Sequence, residues 1–423
     1  MANSESLVIS SILTTADNSS VTKHGVERGM FTVHPNEWKW LQGRITKTGS
    51  VPSVVAFRQQ FPSFTVFDVD DTESFVEQLK QDSAQARLTD LIDDCISILE
   101  AGKIQTALDY LGTELVSIQA TVTETTDHYD MKTGWEETYA DVSARIDRVD
   151  RLGTAGVPTG FGTFDLESGG LQPGWLVIVG GRLGHGKTWT MVRMACEAAM
   201  RGYKVMYWSL EQSRHQIAMR AQSIFAHEAG VSGVRVTDLM RGTGVNLPAY
   251  KSFMENEMQT VMRGDLLIND TSRGAVSPMT VAASIEQDRP DVVFIDYLTL
   301  LQMKGDGEWA SVANLSGDLK RISEQYQIPI VVGSQLNRQA IGQENPDPGQ
   351  LARSDSVGQD ADVVVTVTKD KVTPAVVKLN LAKFRHGADG YSWYCKFQPG
   401  HGVYSEITGD EAQRLRDITQ DIN

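Results

Sequence analysis

The chain has 423 residues and carries 39 basic against 54 acidic side chains, a formal net charge of −15. This length predicts two or three domains, each able to bury its own core. The acidic balance argues against wholesale non-specific binding to nucleic acid, although a DNA channel needs only a local set of Lys and Arg. No run approaches the roughly 18 apolar residues of a membrane span.

The first ten residues lack a signal-peptide pattern, which predicts a cytoplasmic protein without a membrane partner. The cysteines, Cys95, Cys196 and Cys395, are odd in number and form no CxxC pair. We therefore expect all three to be reduced structural residues.

Residues 1–120 are predicted to form a helical N-terminal domain. Apolar side chains recur at helical spacing in residues 7–13 and 38–45, and residues 72–118 indicate two long amphipathic helices broken near Gly102. We find no catalytic constellation in this stretch of sequence, so the domain is predicted to be an interaction module.

Residues 121–157 are predicted to form a linker that contains a helix over 135–149. Five apolar side chains in this helix are spaced four, three, four and three residues apart, which places them on one stripe. They are Trp135, Tyr139, Val142, Ile146 and Val149. The stripe either packs on its own domain or docks on a neighbouring subunit. A lone helix after a flexible linker has few local partners, which favours docking.

From residue 158 to residue 408, β-rich runs alternate with helical segments. The predicted strands are Trp175–Val179, Lys204–Ser209, Leu266–Asn269, Val292–Asp296, Ile328–Gly333, Val363–Val367 and Val376–Leu381. Several are continuous apolar runs, typical of strands buried on both faces of an α/β sheet covered by helices. The last two are expected to form an antiparallel hairpin across Lys369–Thr373. Residues 409–423 are predicted to be a charged tail with little sign of a core.

The strongest motif is the octapeptide GRLGHGKT, which begins at Gly181 and matches G-x-x-x-x-G-K-[ST] between a strand and a helix. Gly181, Gly184 and Gly186 let backbone N–H groups converge on phosphates without side-chain obstruction. The helix N-terminus adds positive potential at the same place. Lys187 is predicted to bind the β- and γ-phosphates, and Thr188 to bind Mg²⁺ through its hydroxyl.

Two carboxylates follow predicted strands. Asp296 comes directly after four apolar residues, where a buried charge needs a partner, and is predicted to support Mg²⁺ unless it is simply a turn residue. Glu211 follows the strand after the phosphate loop and is a candidate base for orienting the attacking water. The alternative is that Glu211 favours a helix start, because Ser213 and Gln216 have the spacing of a capping box.

Three polar residues near later strands are weaker candidates. Gln335 lies just past a strand, where an amide can sense a γ-phosphate. Lys383 and Arg385 follow the last predicted strand at a spacing that points both to one face. They are either a solvated strand end or a pair of cations that reaches a phosphate, as an arginine finger does.

Six segments, in this order along the chain, resemble the motifs of hexameric replicative helicases of the DnaB type. They are GGRLGHGKT, YWSLEQS, VVFIDYLTLLQ, IPIVVGSQLNR, QDADVVV and LAKFRHG. The resemblance is close over residues 158–405 and looser over residues 5–118. It implies an α/β RecA-like P-loop NTPase motor domain with a helical N-terminal domain and a linker helix.

The resemblance implies an ATP-dependent DNA helicase that uses ATP and Mg²⁺. A homohexameric ring with an N-terminal collar would move 5′ to 3′ along single-stranded DNA and exclude the other strand, with a primase and a helicase loader as partners. It also implies that Lys187 and Thr188 bind phosphate and Mg²⁺ and that the helix 135–149 docks on the adjacent subunit. The other implied roles are Glu211 as the catalytic carboxylate, Asp296 as the Mg²⁺-supporting acid and Gln335 as the γ-phosphate sensor. Lys383 and Arg385 are implied to act across the subunit interface, with Arg385 as the arginine finger.

The resemblance further implies two DNA-contacting loops, one between Gln302 and Asn314 and one between Asn337 and Gln359. Candidate DNA contacts are Lys304 in the first loop and Arg338 and Arg353 in the second. The second loop departs from the family pattern Arg-Glu-Ser-Gly-Ser-Ile-Glu. Here the sequence from residue 352 is Ala-Arg-Ser-Asp-Ser-Val-Gly, which removes the usual Arg and adds a repulsive carboxylate where the family has a glycine.

Two other functions remain open. The first is a RecA-like recombinase or ATP-gated DNA-binding filament that does not unwind duplex; the predicted linker helix and the QDAD segment argue against it. The second is a protein-interaction role with vestigial hydrolysis. The intact set of Lys187, Glu211, Asp296 and Arg385 argues against that.

Overall fold

The computed structural model describes residues 3–19, 21, 26–122, 129–301, 308–337, 340, 343, 345–351, 355–370 and 372–422. The chain divides into two compact units, Met1–Trp135 and Glu136–Asn423. Among the described residues, no helix is both long and apolar enough to cross a membrane. All three cysteines are free, and Cys196 and Cys395 are buried.

The first unit is helical in its described part. Its helices are α1 (Ser4–Thr15), α2 (Pro35–Thr48), α3 (Val54–Gln60), α4 (Thr72–Glu100) and α5 (Ile104–Val122). The predicted break between two long helices is confirmed at Gly102, whose φ of +73° suits a glycine. The core contains Ile9, Leu41 and Phe57, each fully buried. The buried carboxylate of Glu5 joins α1 to the start of α2 by accepting backbone N–H groups, at 2.7 Å for His34.

The second unit is a sheet between layers of helices. Its helices are α6 (Trp135–Leu152), α7 (Gly162–Ser168), α8 (Lys187–Met200), α9 (Arg214–Glu228), α10 (Val236–Arg241), α11 (Leu247–Glu255), α12 (Glu257–Val261), α13 (Pro278–Asp288), α14 (Glu308–Tyr326), α15 (Asp355–Asp360) and α16 (Gly409–Ile422). Its strands are β1 (Leu176–Gly181), β2 (Lys204–Ser209), β3 (Asp265–Asp270), β4 (Val292–Asp296), β5 (Ile330–Gln335), β6 (Val363–Lys369), β7 (Val376–Phe384), β8 (Ser392–Gln398) and β9 (Val403–Ile407).

Within the described residues the strand order is β3-β2-β4-β5-β1-β6-β7-β8-β9. The strands β1 to β6 are parallel, and β7, β8 and β9 continue the sheet as antiparallel neighbours. Helices cover both faces of β1: Val177 and Val179 pack in one apolar core, and Leu176 and Ile178 in the other. This double burial explains why the strand is a continuous apolar run. The predicted β6–β7 hairpin is confirmed.

Two features differ from the sequence prediction. The strands β8 and β9 were not predicted, because β8 alternates between buried and more exposed side chains and β9 has only two buried residues at its start, so neither forms a continuous apolar run. The tail predicted to lack a core is the helix α16, in which Ala412 is fully buried and Arg416 Nε donates to Asp370 Oδ2 at 2.8 Å. Its start is fixed by a capping box, in which Thr408 Oγ1 accepts from Glu411 N and Glu411 Oε2 accepts from Thr408 N.

Candidate nucleotide-binding site

The carboxyl ends of four neighbouring strands meet at one edge of the sheet. Gly181 at the end of β1 is in register with Gln335 at the end of β5, and Ser209 at the end of β2 is in register with Asp296 at the end of β4. A backbone hydrogen bond from Leu210 N to Asp296 O, 2.8 Å long, ties the last two together. Parallel pairing therefore gathers segments that are far apart in sequence at a single edge.

The loop between β1 and α8 has an open backbone. Gly184 and Gly186 have φ values of +77° and +98°, which other residues rarely adopt. No described atom lies within 4 Å of the position a Cβ of Gly184 would take, so the conformation rather than crowding requires glycine there. The helix α8 begins at Lys187, so its unpaired N–H groups and its positive end face the same loop.

A buried ion pair lies beneath this loop. Lys187 Nζ is 3.1 Å from Asp296 Oδ1, and the two side chains are 9% and 2% exposed. The ammonium also lies 4.1 Å from the centre of the Tyr297 ring. Tyr207 donates its hydroxyl to Asp296 Oδ2 at 3.4 Å, and burial together with the Asp296 charge raises the pKa of Tyr207 well above its usual value. Asp296 is therefore a fixed, buried carboxylate rather than a turn residue at the surface.

A cavity of about 310 Å³ opens above the loop. Predicted residues that line it are Gly181, Gly184, Gly186, Lys187, Thr188, Glu211 and Gln335. The cavity also contains residues that sequence analysis missed, which are Trp189, Gln212, Arg220, Phe397 and Pro399.

The cavity fits a polyphosphate and a divalent cation. The glycine loop and the ammonium of Lys187 offer donors to phosphate oxygens. Asp296 Oδ1 faces Lys187 but accepts no hydrogen bond with normal geometry from the described residues. That oxygen and the hydroxyl of Thr188 are the hard ligands that Mg²⁺ prefers.

Glu211 stands apart from the helix that follows it. Ser213 is the N-cap of α9, and its backbone N–H donates to Gln216 Oε1 at 3.3 Å. The capping role therefore belongs to Ser213 and Gln216, and Glu211 is an exposed carboxylate two residues before the cap at the cavity wall.

Arg220 and Phe397 are two of the cavity-lining residues that sequence analysis missed. The guanidinium of Arg220 lies 5.6 Å from the centre of the Trp189 ring and bonds Gln212, and burial lowers the pKa of Arg220. The Phe397 ring lies 3.7 Å from the place of a Cβ on Gly186, with Lys369 Nζ 5.9 Å from its centre. No motif marks Arg220. For Phe397 the signal was the alternation of buried side chains along β8.

Lys383 and Arg385 do not lie at this cavity. Phe384, between them, is in register with Val363 on β6, which is in register with Val177 near the start of β1. The phosphate loop follows the other end of β1, and the five steps from Leu176 to Gly181 span about 17 Å at roughly 3.3 Å each. Arg385 is therefore too far from the phosphate loop of its own chain to touch a nucleotide bound there.

Both cations are bound at the opposite edge of the sheet. Lys383 Nζ donates to the carbonyl oxygens of Gly358, Gln359 and Ala361, at 2.7, 3.0 and 2.7 Å. Arg385 Nη1 donates to Asp362 Oδ1 at 2.8 Å, and Nη2 donates to Gln359 O at 3.1 Å. The two side chains hold the same short segment, the end of α15 and the residues after it.

The candidate DNA contacts Lys304, Arg338 and Arg353 lie outside the described residues. Part of the second predicted loop is described, including residues 345–351. Leu351, within that loop, pairs in an isolated bridge with Leu336, which directly follows β5.

The strand order and the phosphate loop at the carboxyl edge of the sheet define a RecA-like P-loop domain. The model of the DnaB-like helicase C-terminal domain family matches residues 156–402, more than half of the chain. The chain belongs to the DnaB-like helicase family.

Curated relatives share the motor region. The replicative DNA helicase DnaB of Haemophilus influenzae is 30% identical over 271 residues, which cover 58% of this chain and 55% of that protein. The replicative DNA helicase DnaB of Pasteurella multocida is 28% identical over 268 residues, covering 58% and 56%. A probable plasmid replicative DNA helicase of Chlamydia muridarum is 30% identical over 259 residues, covering 60% and 55%. The chain thus matches about half the length of these relatives.

Solved structures share the fold. One described as a DnaB-like replicative helicase and its interactions with primase has a TM-score of 0.70 and 18% identity, covering 96% of this chain and 99% of that one. A second, described as an ATPase domain, has a TM-score of 0.55 and 22% identity, covering 64% and 98%. The first likeness extends over both units, so the helical N-terminal unit belongs to the shared fold.

We predict that Asp296→Ala lowers the free energy of unfolding of the nucleotide-free protein by about 3–5 kcal/mol, because it leaves the Lys187 ammonium buried without its partner. Urea denaturation of the full chain measures this. Adding Lys187→Met should recover part of the loss, since the buried charge is then gone. Asp265→Ala, at an exposed carboxylate on β3, is the control. Equal losses in the single and double variants would contradict the buried-pair explanation.

Proposed function

We propose that this protein is a replicative DNA helicase. It binds ATP and Mg²⁺, assembles as a homohexameric ring, moves 5′ to 3′ along single-stranded DNA and separates the duplex. Membership of the DnaB-like helicase family and the names of the curated relatives support the activity. The direction of movement rests on the family resemblance.

The proposal of a ring is supported by the positions of the phosphate loop and Arg385, which lie at opposite edges of the same sheet. The phosphate loop is at the carboxyl edge, and Arg385 is at the other, about 17 Å along β1. If Arg385 is an arginine finger, it completes the site of another subunit. Repeating that contact around a closed ring places one site at each interface.

Within one site each of the described side chains has a separate proposed role. Lys187 binds the β- and γ-phosphates, Thr188 and Asp296 hold the metal ion, and Gln335 contacts the γ-phosphate. A bound Mg²⁺ neutralises phosphate charge. Glu211 is exposed at the cavity wall, where its carboxylate orients the attacking water and accepts its proton.

The helix α6 is proposed to dock on the adjacent subunit. One side of it contacts its own motor unit, where Arg145 Nη1 donates to Gln172 Oε1 at 2.9 Å. On its apolar stripe, Val142, Ile146 and Val149 are 47%, 56% and 46% exposed. A stripe of aliphatic side chains exposed to that degree on a motor unit is typical of a surface that another chain covers.

The N-terminal unit is proposed to form the collar of the ring. On α4, Leu88, Ile92, Ile96 and Leu99 recur at helical spacing and are 39–48% exposed. A primase is a proposed partner, because one solved structure with this fold is described together with its primase interactions. A helicase loader is proposed on the resemblance alone.

We predict that Ile146→Asp abolishes the hexamer, because a carboxylate cannot be buried in an apolar contact without a partner. Native mass spectrometry with ATP and Mg²⁺ should give a hexamer for the wild type and smaller species for the variant. Ala140→Asp puts the same charge on an exposed position of α6 away from the stripe, and should leave the hexamer intact. A hexamer retained by Ile146→Asp would contradict docking through this stripe.

We propose that the nucleobase stacks on Phe397, which lines the cavity as Trp189 does. We predict that Phe397→Leu, which keeps the side chain apolar, weakens ATP binding about fivefold to tenfold through the loss of one stacking contact. Equilibrium binding of a fluorescent ATP analogue measures the effect. Binding of inorganic tripolyphosphate should be unchanged, because it has no base. An equal loss for both ligands would show that the substitution damages the phosphate loop instead.

Strand displacement on a fork with a 5′ single-stranded tail tests the function. With ATP and Mg²⁺ the wild type should unwind the fork, while Glu211→Ala and Arg385→Ala should bind ATP yet lower unwinding by about a thousandfold, since a finger arginine contributes about 10³–10⁵ to the rate. Arg321→Ala, at an arginine that is 74% exposed on α14, is the matched control.

Preassembled rings remove the need for a loader in this experiment. If such rings hydrolyse ATP on single strands but never displace one, the helicase proposal is wrong and a recombinase or DNA-binding filament takes its place. If the wild type hydrolyses no ATP, the vestigial interaction role is favoured.

A further inference from the structure

The residues before and after Arg385 in the sequence carry rings, and both rings pack against the indole of Trp175. The His386 imidazole is stacked on Trp175, with 5.3 Å between ring centres and an interplanar angle of 5°. Phe384 meets the same indole edge-on, at 5.7 Å and 73°. The two outer rings lie 6.3 Å apart. We call Trp175, Phe384 and His386 the aromatic bracket.

The indole is a fixed platform. Trp175 is 9% exposed, and its carbonyl oxygen accepts from Ile330 N at 2.9 Å as it enters β1. Because the bracket stands on the strand that leads to the phosphate loop, it shares the rigid frame of the sheet.

The turn around Arg385 has little freedom. The backbone N–H of Arg385 donates to Asp362 O at 2.9 Å. A Cβ on Gly387 would come within 2.7 Å of the Phe384 ring, so the chain can leave the turn this closely only at a glycine. With a ring packed on each side, the Cα of Arg385 is held by both of its neighbours.

We propose that the aromatic bracket positions the arginine finger, with Trp175 and His386 as positioning residues for hydrolysis in the neighbouring subunit. The inference rests on the proposed role of Arg385. An arginine stabilises developing charge on a phosphoryl group only if its guanidinium is already in place, since reorientation during the reaction costs rate. A displacement of about 1 Å can cost roughly a hundredfold in rate. The aromatic bracket limits movement of the backbone at Arg385. The hydrogen bond to Asp362 restricts the Arg385 side chain.

The test compares His386→Ala with His386→Phe in DNA-stimulated ATP hydrolysis by preassembled rings. His386→Ala should lower kcat about tenfold or more and leave KM within twofold, because the nucleotide cavity of each chain is unchanged. His386→Phe keeps a flat ring for stacking and should restore at least half of the wild-type kcat. His227→Ala, at an exposed histidine on α9, is the control.

Mixed rings test whether the effect acts across the interface. His386→Ala subunits keep an intact phosphate loop, and Lys187→Ala subunits keep an intact finger. Mixing the two should give more ATP hydrolysis than the sum of the separate proteins, since some interfaces then join two intact halves. A loss of stability alone would not produce this gain.

Different outcomes separate the two proposals. If Arg385→Ala has a low kcat and complements Lys187→Ala, while His386→Ala keeps the wild-type kcat, the bracket inference is overturned and the finger remains. If His386→Phe is as slow as His386→Ala, stacking is not the cause and the inference also fails. If Arg385→Ala itself keeps the wild-type kcat, the proposed finger is wrong, and the bracket has nothing to position.

Discussion

The buried carboxylate of Asp362 joins three parts of the motor unit that are remote in sequence. Its Oδ2 accepts from Leu176 N at 2.9 Å and from Lys320 Nζ at 2.7 Å, and its Oδ1 accepts from Arg385 Nη1 at 2.8 Å. The side chain is 2% exposed, so removing any of these donors leaves a buried charge short of partners. That cost fixes the start of β1, the helix α14 and the turn after β7 to one another.

This constraint fixes the distance along β1 between the phosphate loop and Arg385, the two parts of the proposed site. One end of the strand leads into the phosphate loop, and the other holds Asp362 and the aromatic platform Trp175. Packing on both faces prevents the strand from stretching or sliding, since protein interiors are close-packed. In the proposed ring, a change at the nucleotide would therefore reach the adjacent subunit as a movement of whole motor units, because packing fixes the distance from the phosphate loop to Arg385 inside one unit.

The sequence predicted what is local and missed what depends on long-range pairing. The phosphate loop and Asp296 are recognisable because each follows directly on a continuous apolar strand. Phe397 was missed because β8 is half-exposed and alternates, and the core contact of α16 was missed although Thr408 and Glu411 have the spacing of a capping box. Arg220 reaches the cavity from the middle of α9, and no short pattern predicts that approach. Asp362, which accepts a hydrogen bond from Arg385, lies 23 residues away from it, beyond the reach of spacing arguments.

Lys383 and Arg385, which lie two residues apart in the sequence, differ in how many N–H donors remain for another ligand. An ammonium group has three N–H donors, and Lys383 uses three on the carbonyl oxygens around the end of α15. A guanidinium has five, and among the described residues Arg385 uses one on Asp362 and one on Gln359. Arg385 is also 44% exposed. In the proposed ring, Arg385 can therefore bind a phosphate of the adjacent subunit while it stays anchored, whereas Lys383 would first have to release the end of α15. That helix overlaps the end of the second predicted DNA loop, so in the proposed helicase a phosphate that draws Lys383 away would also free the end of that loop.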